Sequence, residues 1–172
     1  GVELIQLASH RGGMPEIAPN LERDMSRFVV DYSQYDETKL ADCAVDSAGP
    51  LEWTNDGNAI VFAYRTAPVL PTQLVSVALA DQKMVGVTNP VIGQPGDSLP
   101  AIASTGRRMV FQRSRSVGVA DLQLIETSTG QPERLTKDGV ETYGAAWEPG
   151  NRSVIFASPR AGRSALWRTT ID

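Results

Sequence analysis

The sequence predicts an all-β chain folded as a β-propeller of four-stranded antiparallel blades. A hairpin pattern at residues 51–62 returns at 100–111 and again at 145–156. The phenylalanines that close these hairpins, Phe62, Phe111 and Phe156, are spaced by 49 and 45 residues, close to the roughly 40 to 50 residues of one propeller blade. Glycine, proline and turn dipeptides interrupt the chain about every ten residues, which leaves room for strands but not for long helices.

Each repeat begins with a hairpin that supplies the first two strands of a blade, here called strands a and b. In the first hairpin Leu51 and Trp53 alternate with polar residues, and the Asn-Asp-Gly sequence at 55–57 is a strong turn signal. The run Ile-Val-Phe at 60–62 is β-branched and aromatic, as strands prefer. Two strands and their turn therefore fit within a dozen residues.

The rest of each repeat predicts strands c and d. Residues 74–79 and 83–87 follow the first hairpin, and residues 121–126 and 133–136 follow the second, each pair being joined by a short polar turn. Near the chain ends, residues 2–7 alternate like a strand d and residues 165–171 like a strand c.

These strands predict a single domain, or part of a larger propeller, with about four blade equivalents. The predicted blade units are approximately 14–48, 49–97, 98–140 and 141–172, with the strand at 2–7 coming from a neighbouring or closing blade. Small propellers have about four blades. Either residues 2–7 complete the blade that contains Leu166 and Trp167, or two copies associate through open blade edges.

The composition excludes several classes of protein. With 172 residues, 41% of them hydrophobic and 21% charged, the chain has an ordinary globular balance. A net charge of −4 argues against nucleic acid as the partner of this segment. No apolar run is long enough to cross a membrane, so we expect no membrane insertion, and any signal peptide or anchor would lie outside these residues.

The motifs of catalysis and metal binding are missing from the sequence. There is one histidine, His10, and one cysteine, Cys43, and neither a Gly-x-Ser-x-Gly motif nor a glycine-rich phosphate loop occurs. The acidic stretch at 22–46 does not have the spacing of a calcium-binding loop. We therefore expect no enzyme activity, no cofactor and no metal. Trp53 and Trp147 occupy equivalent positions of strand a, and we expect them to pack one blade on the next.

Three segments resemble a known repeat family. Residues 53–62 and 147–156 are similar to the W-S-P-D-G-x-x-I-x-F core of the WD40-like PD40 repeats of TolB-like propellers, and 125–136 resemble the d-x-x-t-G-x-x-x-R-L-T ending of that repeat. The resemblance implies a non-catalytic recognition module in the periplasm or another extracytoplasmic compartment, within a TolB-like translocation protein or as the sensor domain of a membrane-bound regulator. A cytoplasmic location stays open. The alternative is a fragment of the gating propeller of a serine peptidase of the prolyl oligopeptidase type.

Five arginines are the candidate partner-binding residues. In an antiparallel four-stranded blade the b–c and d–a connections emerge at one end, and the a–b and c–d turns emerge at the other. The five arginines that fall in the first group are Arg11, Arg65, Arg115, Arg160 and Arg163. Guanidinium groups suit bidentate contact with carboxylate or phosphate, so the sequence predicts a protein or an anionic small molecule as partner. The competing interpretation is that these arginines are solubilising charges.

Overall fold

The computed structural model describes residues 39–41, 49–128 and 130–171, and within them every regular element is a β-strand. The strands are β1 (Glu52–Trp53), β2 (Ala59–Tyr64), β3 (Gln73–Ala78), β4 (Met84–Gly86), β5 (Gly96–Ile102), β6 (Arg108–Ser116), β7 (Val119–Glu126), β8 (Glu133–Arg134), β9 (Ala145–Trp147), β10 (Ser153–Ser158) and β11 (Ala165–Thr170). The prediction of an all-β fold is confirmed. No helix in these ranges is long and apolar enough to span a membrane.

The strands form three antiparallel sheets in which neighbours in the sequence are also neighbours in space. Blade A has the order β1-β2-β3-β4, blade B has the order β5-β6-β7-β8, and blade C contains β9, β10 and β11 in the same sequential arrangement. This up-and-down meander is the build of a propeller blade. In blade C, β11 has no fourth strand beside it among the described residues. The predicted blade at 14–48, except for 39–41, and the predicted strand at 2–7 lie outside those residues.

The same a–b turn closes the hairpin of all three blades. In each blade the backbone N–H that follows strand a donates to a carbonyl five residues later, at 2.8 to 3.0 Å, as in the pair Thr54 and Ala59. The fourth turn residue has positive φ in every copy: Gly57 at 69°, Gly106 at 70° and Asn151 at 56°. Glycine and asparagine are the residues that tolerate this conformation best. The three turns therefore share their closing hydrogen bond and a left-handed fourth residue, although in the third copy Gly150, the third turn residue, also has positive φ, at 94°.

The hydrophobic core lies between the blades. Val61 and Leu74 of blade A pack with Met109 and Phe111 of blade B in one buried cluster. The other face of blade B contributes to a second cluster that contains Val154 of blade C. Because alternate residues of a strand point to opposite faces, blade B is buried on both sides. The closing phenylalanines of all three hairpins are buried.

The two tryptophans of strand a differ in the structure. Trp147 packs against the core cluster between blades B and C, and its Nε1–H donates to the carbonyl of Ala101 in β5 at 2.9 Å. Packing between blades is confirmed for Trp147. Trp53 is 57% exposed, so the prediction is not confirmed there. This position faces the preceding blade, and for Trp53 that blade is the predicted unit at 14–48, outside the described residues.

Candidate interaction surface

The antiparallel strand order divides the connections of the three blades between two ends. The b–c connections at 65–72, 117–118 and 159–164 emerge at one end, together with the d–a connections at 87–95 and 135–144 and the approach to β1 at 49–51. We call this end the loop end. The a–b and c–d turns emerge at the opposite end, which we call the turn end.

Exposed apolar side chains concentrate at the loop end. Ten large hydrophobic residues in the described ranges are exposed, and seven of them lie in loop-end connections. These seven are Leu51, Val69, Leu70, Val91, Ile92, Val117 and Tyr143, with exposed fractions from 37% to 95%. The other three, Trp53, Val85 and Leu166, lie on strands. A concentration of exposed apolar residues at one end is typical of an interaction surface.

The described candidate arginines also lie at the loop end. Arg65, Arg160 and Arg163 fall in b–c connections, and Arg115 is the penultimate residue of β6. Arg11 lies outside the described residues. Lys137 adds a further cation, and the acidic residues in the same connections are Asp138 and Glu141. Basic residues thus outnumber acidic ones at this end of an acidic chain, while their role in binding stays a prediction.

Arg115 contacts a buried carboxylate of its own blade. Its Nη2 lies 3.0 Å from Oδ2 of Asp121, whose side chain is 1% exposed. The same carboxylate accepts from Nε of Arg134 at 2.9 Å, from the hydroxyl of Thr136 at 3.2 Å and from the backbone N–H of Gly139 at 3.1 Å. Asp121 therefore ties β6, β7 and β8 to the following d–a connection, and Arg115 is one part of that structural network.

Arg160 is packed between aromatic rings. Its guanidinium carbon lies 4.5 Å from the ring centre of Phe156 and 5.5 Å from that of Trp167. Its Nε is 3.2 Å from Oδ2 of Asp138, and the side chain is only 17% exposed. The guanidinium groups of Arg115 and Arg160 are both engaged with carboxylates, so we expect these two arginines to contribute to stability rather than to act only as solubilising charges. Arg163, in the same connection as Arg160, is exposed.

A buried ion pair that the sequence analysis missed lies between β5 and β6. Nε and Nη2 of Arg113 contact the two oxygens of Asp97 at 2.7 and 2.8 Å, and Asp97 is fully buried. The hydrogen bond to Asp97 raises the pKa of Arg113 above its ordinary value, against the opposing effect of burial. Neither residue lies in a recognisable motif, so only the pairing of the strands brings them together. A bidentate pair of this kind fixes the register at the start of the blade.

Two proline-containing connections of blade A are joined at the loop end. We call residues 65–72 and 87–95 the paired proline loops. Thr72 donates from its backbone N–H to the carbonyl of Pro95 at 2.9 Å, and its own carbonyl accepts from the N–H of Asp97 at 2.7 Å. A parallel bridge results between Thr72 and Gly96. A cavity of about 140 Å³ lies between the two loops, lined by Arg65, Leu70 and Ile92 among others.

A larger groove at the turn end has a different character. It measures about 590 Å³, lies between blades A and B, and has Asp56, Arg107 and Glu126 among its lining residues. Asp56 is already bonded within its own turn, and its pKa is lowered first by the Thr54 hydroxyl and then by the backbone and side chain of Asn58. In the described ranges no three His, Cys, Asp or Glu side chains are placed to hold a metal ion.

Comparison with known proteins identifies the fold. No family model matches the sequence, and no curated protein matches it. Among solved structures, TolB from Acinetobacter baumannii is 24% identical with a TM-score of 0.58, over 69% of this chain and 28% of that one. An oligogalacturonate lyase in complex with manganese is 18% identical with a TM-score of 0.60, over 78% and 38% of the two chains.

A third similar structure comes from a nidogen/laminin complex. It is 10% identical with a TM-score of 0.55, over 70% of this chain and 43% of that one. The chain thus spans between about a quarter and less than half of the length of these three proteins. Similarity at these identities shows the fold alone, so the propeller fold predicted from the sequence is confirmed, with TolB among the proteins that share it.

Proposed function

We propose that this chain is a non-catalytic recognition module that binds a protein partner at the loop end of its blades. The observation that carries the proposal is the placement of seven of ten exposed large hydrophobic residues at that end. Exposed apolar area of this kind is costly in water unless a partner covers it. Loops held by a rigid scaffold are the usual place for binding residues.

The charge at the loop end indicates the chemistry of the partner. Arg65 and Arg163 lie in b–c connections of the loop end, and the two acidic residues of the loop-end connections are both in 135–144. Opposite charges across an interface speed association and fix orientation. A partner surface that combines acidic and apolar side chains fits this end best. An anionic small molecule fits the cavity of about 140 Å³ in blade A less well, because that volume is below the roughly 300 Å³ or more of typical ligand sites.

The wider assignment follows from the resemblance to TolB-like propellers. One of the similar structures is itself part of a protein complex, that of nidogen with laminin. A periplasmic or other extracytoplasmic location, and a place in a translocation protein or in the sensor part of a regulator, belong to this proposal. The gating propeller of a serine peptidase stays the alternative prediction, and sequence flanking these residues that encodes a Gly-x-Ser-x-Gly motif would favour it.

Site-specific photo-crosslinking in the source cells tests the proposal. A photoreactive amino acid is placed at Val69, Val91 or Val117 of the loop end, and at Asp81 or Ser128 of the turn end. All five positions are exposed, so the substitutions leave the core intact. We expect one partner to be captured from the three loop-end positions and not from the two turn-end positions. Equal capture from both ends, or capture from the turn end alone, would contradict the proposal.

A further inference from the structure

We infer that the cavity between the paired proline loops is a subsite for one apolar side chain of an extended peptide, with carboxylates flanking that side chain. The inference rests on the proposed function and adds to it a specific place on the surface and a partner chemistry. The occupant is a linear segment of the partner protein rather than a metabolite, a nucleic acid or a membrane.

The two loops are fixed in position before anything binds. Each contains a hydrogen-bonded turn, from the N–H of Leu70 to the carbonyl of Ala67 at 3.0 Å and from the N–H of Gln94 to the carbonyl of Val91 at 3.2 Å. Prolines at 68, 71, 90 and 95 restrict the backbone further. The bridge at Thr72 then joins one loop to the other. Binding to such a surface costs little ordering entropy.

The lining of the cavity is part apolar and part polar. Leu70 and Ile92, one from each loop, form the apolar part together with Pro71 and Pro90. Ile92 is 79% exposed in the unbound chain, and an inserted side chain would cover part of that apolar surface. The amides of Gln73 and Asn89 also line the cavity. Side-chain amides can both donate to and accept from the backbone of an extended peptide.

The volume decides what can enter. At about 140 Å³ the cavity is too small for a cofactor or a sugar chain, for which sites usually exceed roughly 300 Å³. One aliphatic side chain is an occupant of suitable size. The rest of the peptide would then lie on the surface formed by Val69 and Val91, both more than half exposed.

The charge of the two loops determines which peptide residues are favoured beside the inserted apolar side chain, here called the anchor. Arg65 lines the cavity, and neither 65–72 nor 87–95 contains an aspartate, a glutamate or a lysine. A guanidinium has five N–H donors in a planar fork that fits a carboxylate. A peptide with acidic residues next to its apolar anchor is therefore favoured, and one with basic residues is disfavoured.

Three heptapeptides titrated into the ¹⁵N-labelled chain test the subsite by NMR. The first is Gly-Ser-Asp-Leu-Asp-Ser-Gly, the second replaces leucine with alanine, and the third replaces both aspartates with lysine. We expect the first to shift the amide signals of 65–72 and 87–95, and the other two to bind at least about fivefold more weakly, through loss of the buried side chain or of the ion pair. Equal affinity for all three, or shifts elsewhere on the chain, would overturn the inference.

Two variants locate the contact on the protein. Ile92→Ser and Arg65→Gln should each lower the affinity for the first peptide by about threefold or more, because the first removes an apolar lining residue and the second removes the cation. The matched control is Val85→Ser, because Val85 is similarly exposed but lies on the outer strand β4. If the control weakens binding as much as the other two, the inference fails. Capture of a partner from Val117 in the crosslinking experiment would still stand in that case, which separates failure of the subsite from failure of the proposed function.

Discussion

At the residue scale, two buried aspartates hold the strands of blade B together. Asp97 pairs with Arg113, and Asp121 accepts hydrogen bonds from side chains and a backbone N–H on three segments of the chain. A buried carboxylate is costly unless its oxygens are matched by donors. Both are matched here, so these residues belong to the scaffold and are not candidates for catalysis.

Asp121→Ala is expected to destabilise the chain strongly. The change leaves the buried hydroxyl of Thr136 and the N–H of Gly139 without their acceptor and removes the partner of two guanidinium groups. We expect the free energy of unfolding, measured by urea denaturation, to fall by about 3 kcal/mol or more. The matched control is Glu133→Ala, an exposed carboxylate on β8. Similar losses for the two variants would show that the network does not stabilise the fold.

Arg160 and Arg163 lie in the same connection, but Arg160 is packed against other side chains and Arg163 is exposed to solvent. Arg160→Ala removes the contacts with Phe156 and Trp167 and the ion pair with Asp138, and should cost about 1 to 2 kcal/mol of stability. Arg163→Ala changes an exposed side chain and should stay within about 0.5 kcal/mol of the unchanged protein. Thermal unfolding of both variants measures the difference. Equal melting temperatures would show that the contacts of Arg160 do not stabilise the fold.

The strands and turns could be predicted from the sequence more fully than the contacts between distant segments. The hairpins and strands c and d follow from alternation and turn signals, and β3 at Gln73–Ala78 differs by one residue from the predicted 74–79. Strand β5 begins at Gly96, four residues before the predicted hairpin at 100–111, because residues 96–98 pair with residues 112–114 of β6. The register of β5 with β6 shifts between Ser98 and Ala101, where this added segment joins the predicted hairpin. Such long-range bonds have no local signature in the sequence.

The candidate site was predicted only in part, for the same reason. Loop-end placement of Arg65, Arg115, Arg160 and Arg163 follows from the strand order alone. The carboxylates that engage Arg115 and Arg160 come from other segments, so the sequence could not reveal them. The exposed valines and isoleucine of the loop end are ordinary strand formers, and only the structure shows that Val69, Val91 and Ile92 are not buried.

At the scale of the elements, Gly96 is the described glycine with the least space for a side chain. Its φ is 106°, and a Cβ there would overlap the backbone of Thr72 across the bridge. Gly93, in the preceding connection, also has positive φ, at 87°, but open space around it. We expect Gly96→Ala to cost about 4 kcal/mol or more and Gly93→Ala only about 1 to 2 kcal/mol, as backbone strain. Urea denaturation compares them, and equal costs would show that the bridge tolerates a side chain.

On the scale of the whole molecule, each blade depends on its neighbour for burial. Three leucines at equivalent positions of strand c show this dependence: Leu74 is 0% exposed, Leu122 is 1% exposed and Leu166 is 76% exposed. The first two face a following blade, and Leu166 of blade C has none among the described residues. The backbone N–H of Leu74 donates to the hydroxyl of Thr88, and its carbonyl accepts from the N–H of Val87, on the side away from strand b. By analogy, alternate backbone groups of β11 point to an edge that has no neighbouring strand among the described residues.

Association through that edge is the expected behaviour of the 172-residue chain in solution. Unpaired strand edges template pairing with a second copy. We expect the mass measured by light scattering to rise with concentration, and Arg168→Pro, which removes an outward N–H from β11, to reduce the rise. A monomer at every concentration would contradict this prediction and would favour completion of blade C by residues 2–7.

At the scale of the whole molecule, we propose that a propeller scaffold presents an apolar, basic loop end to a protein partner. Calorimetric titration of the partner captured by crosslinking tests this claim most directly. The double variant Val91→Ser with Val117→Ser should weaken binding by about tenfold or more and make the heat-capacity change less negative, since apolar area is no longer buried. Val85→Ser, on the outer strand, should bind as the unchanged protein does. Unchanged affinity in the double variant would contradict the claim that the loop end is the recognition surface.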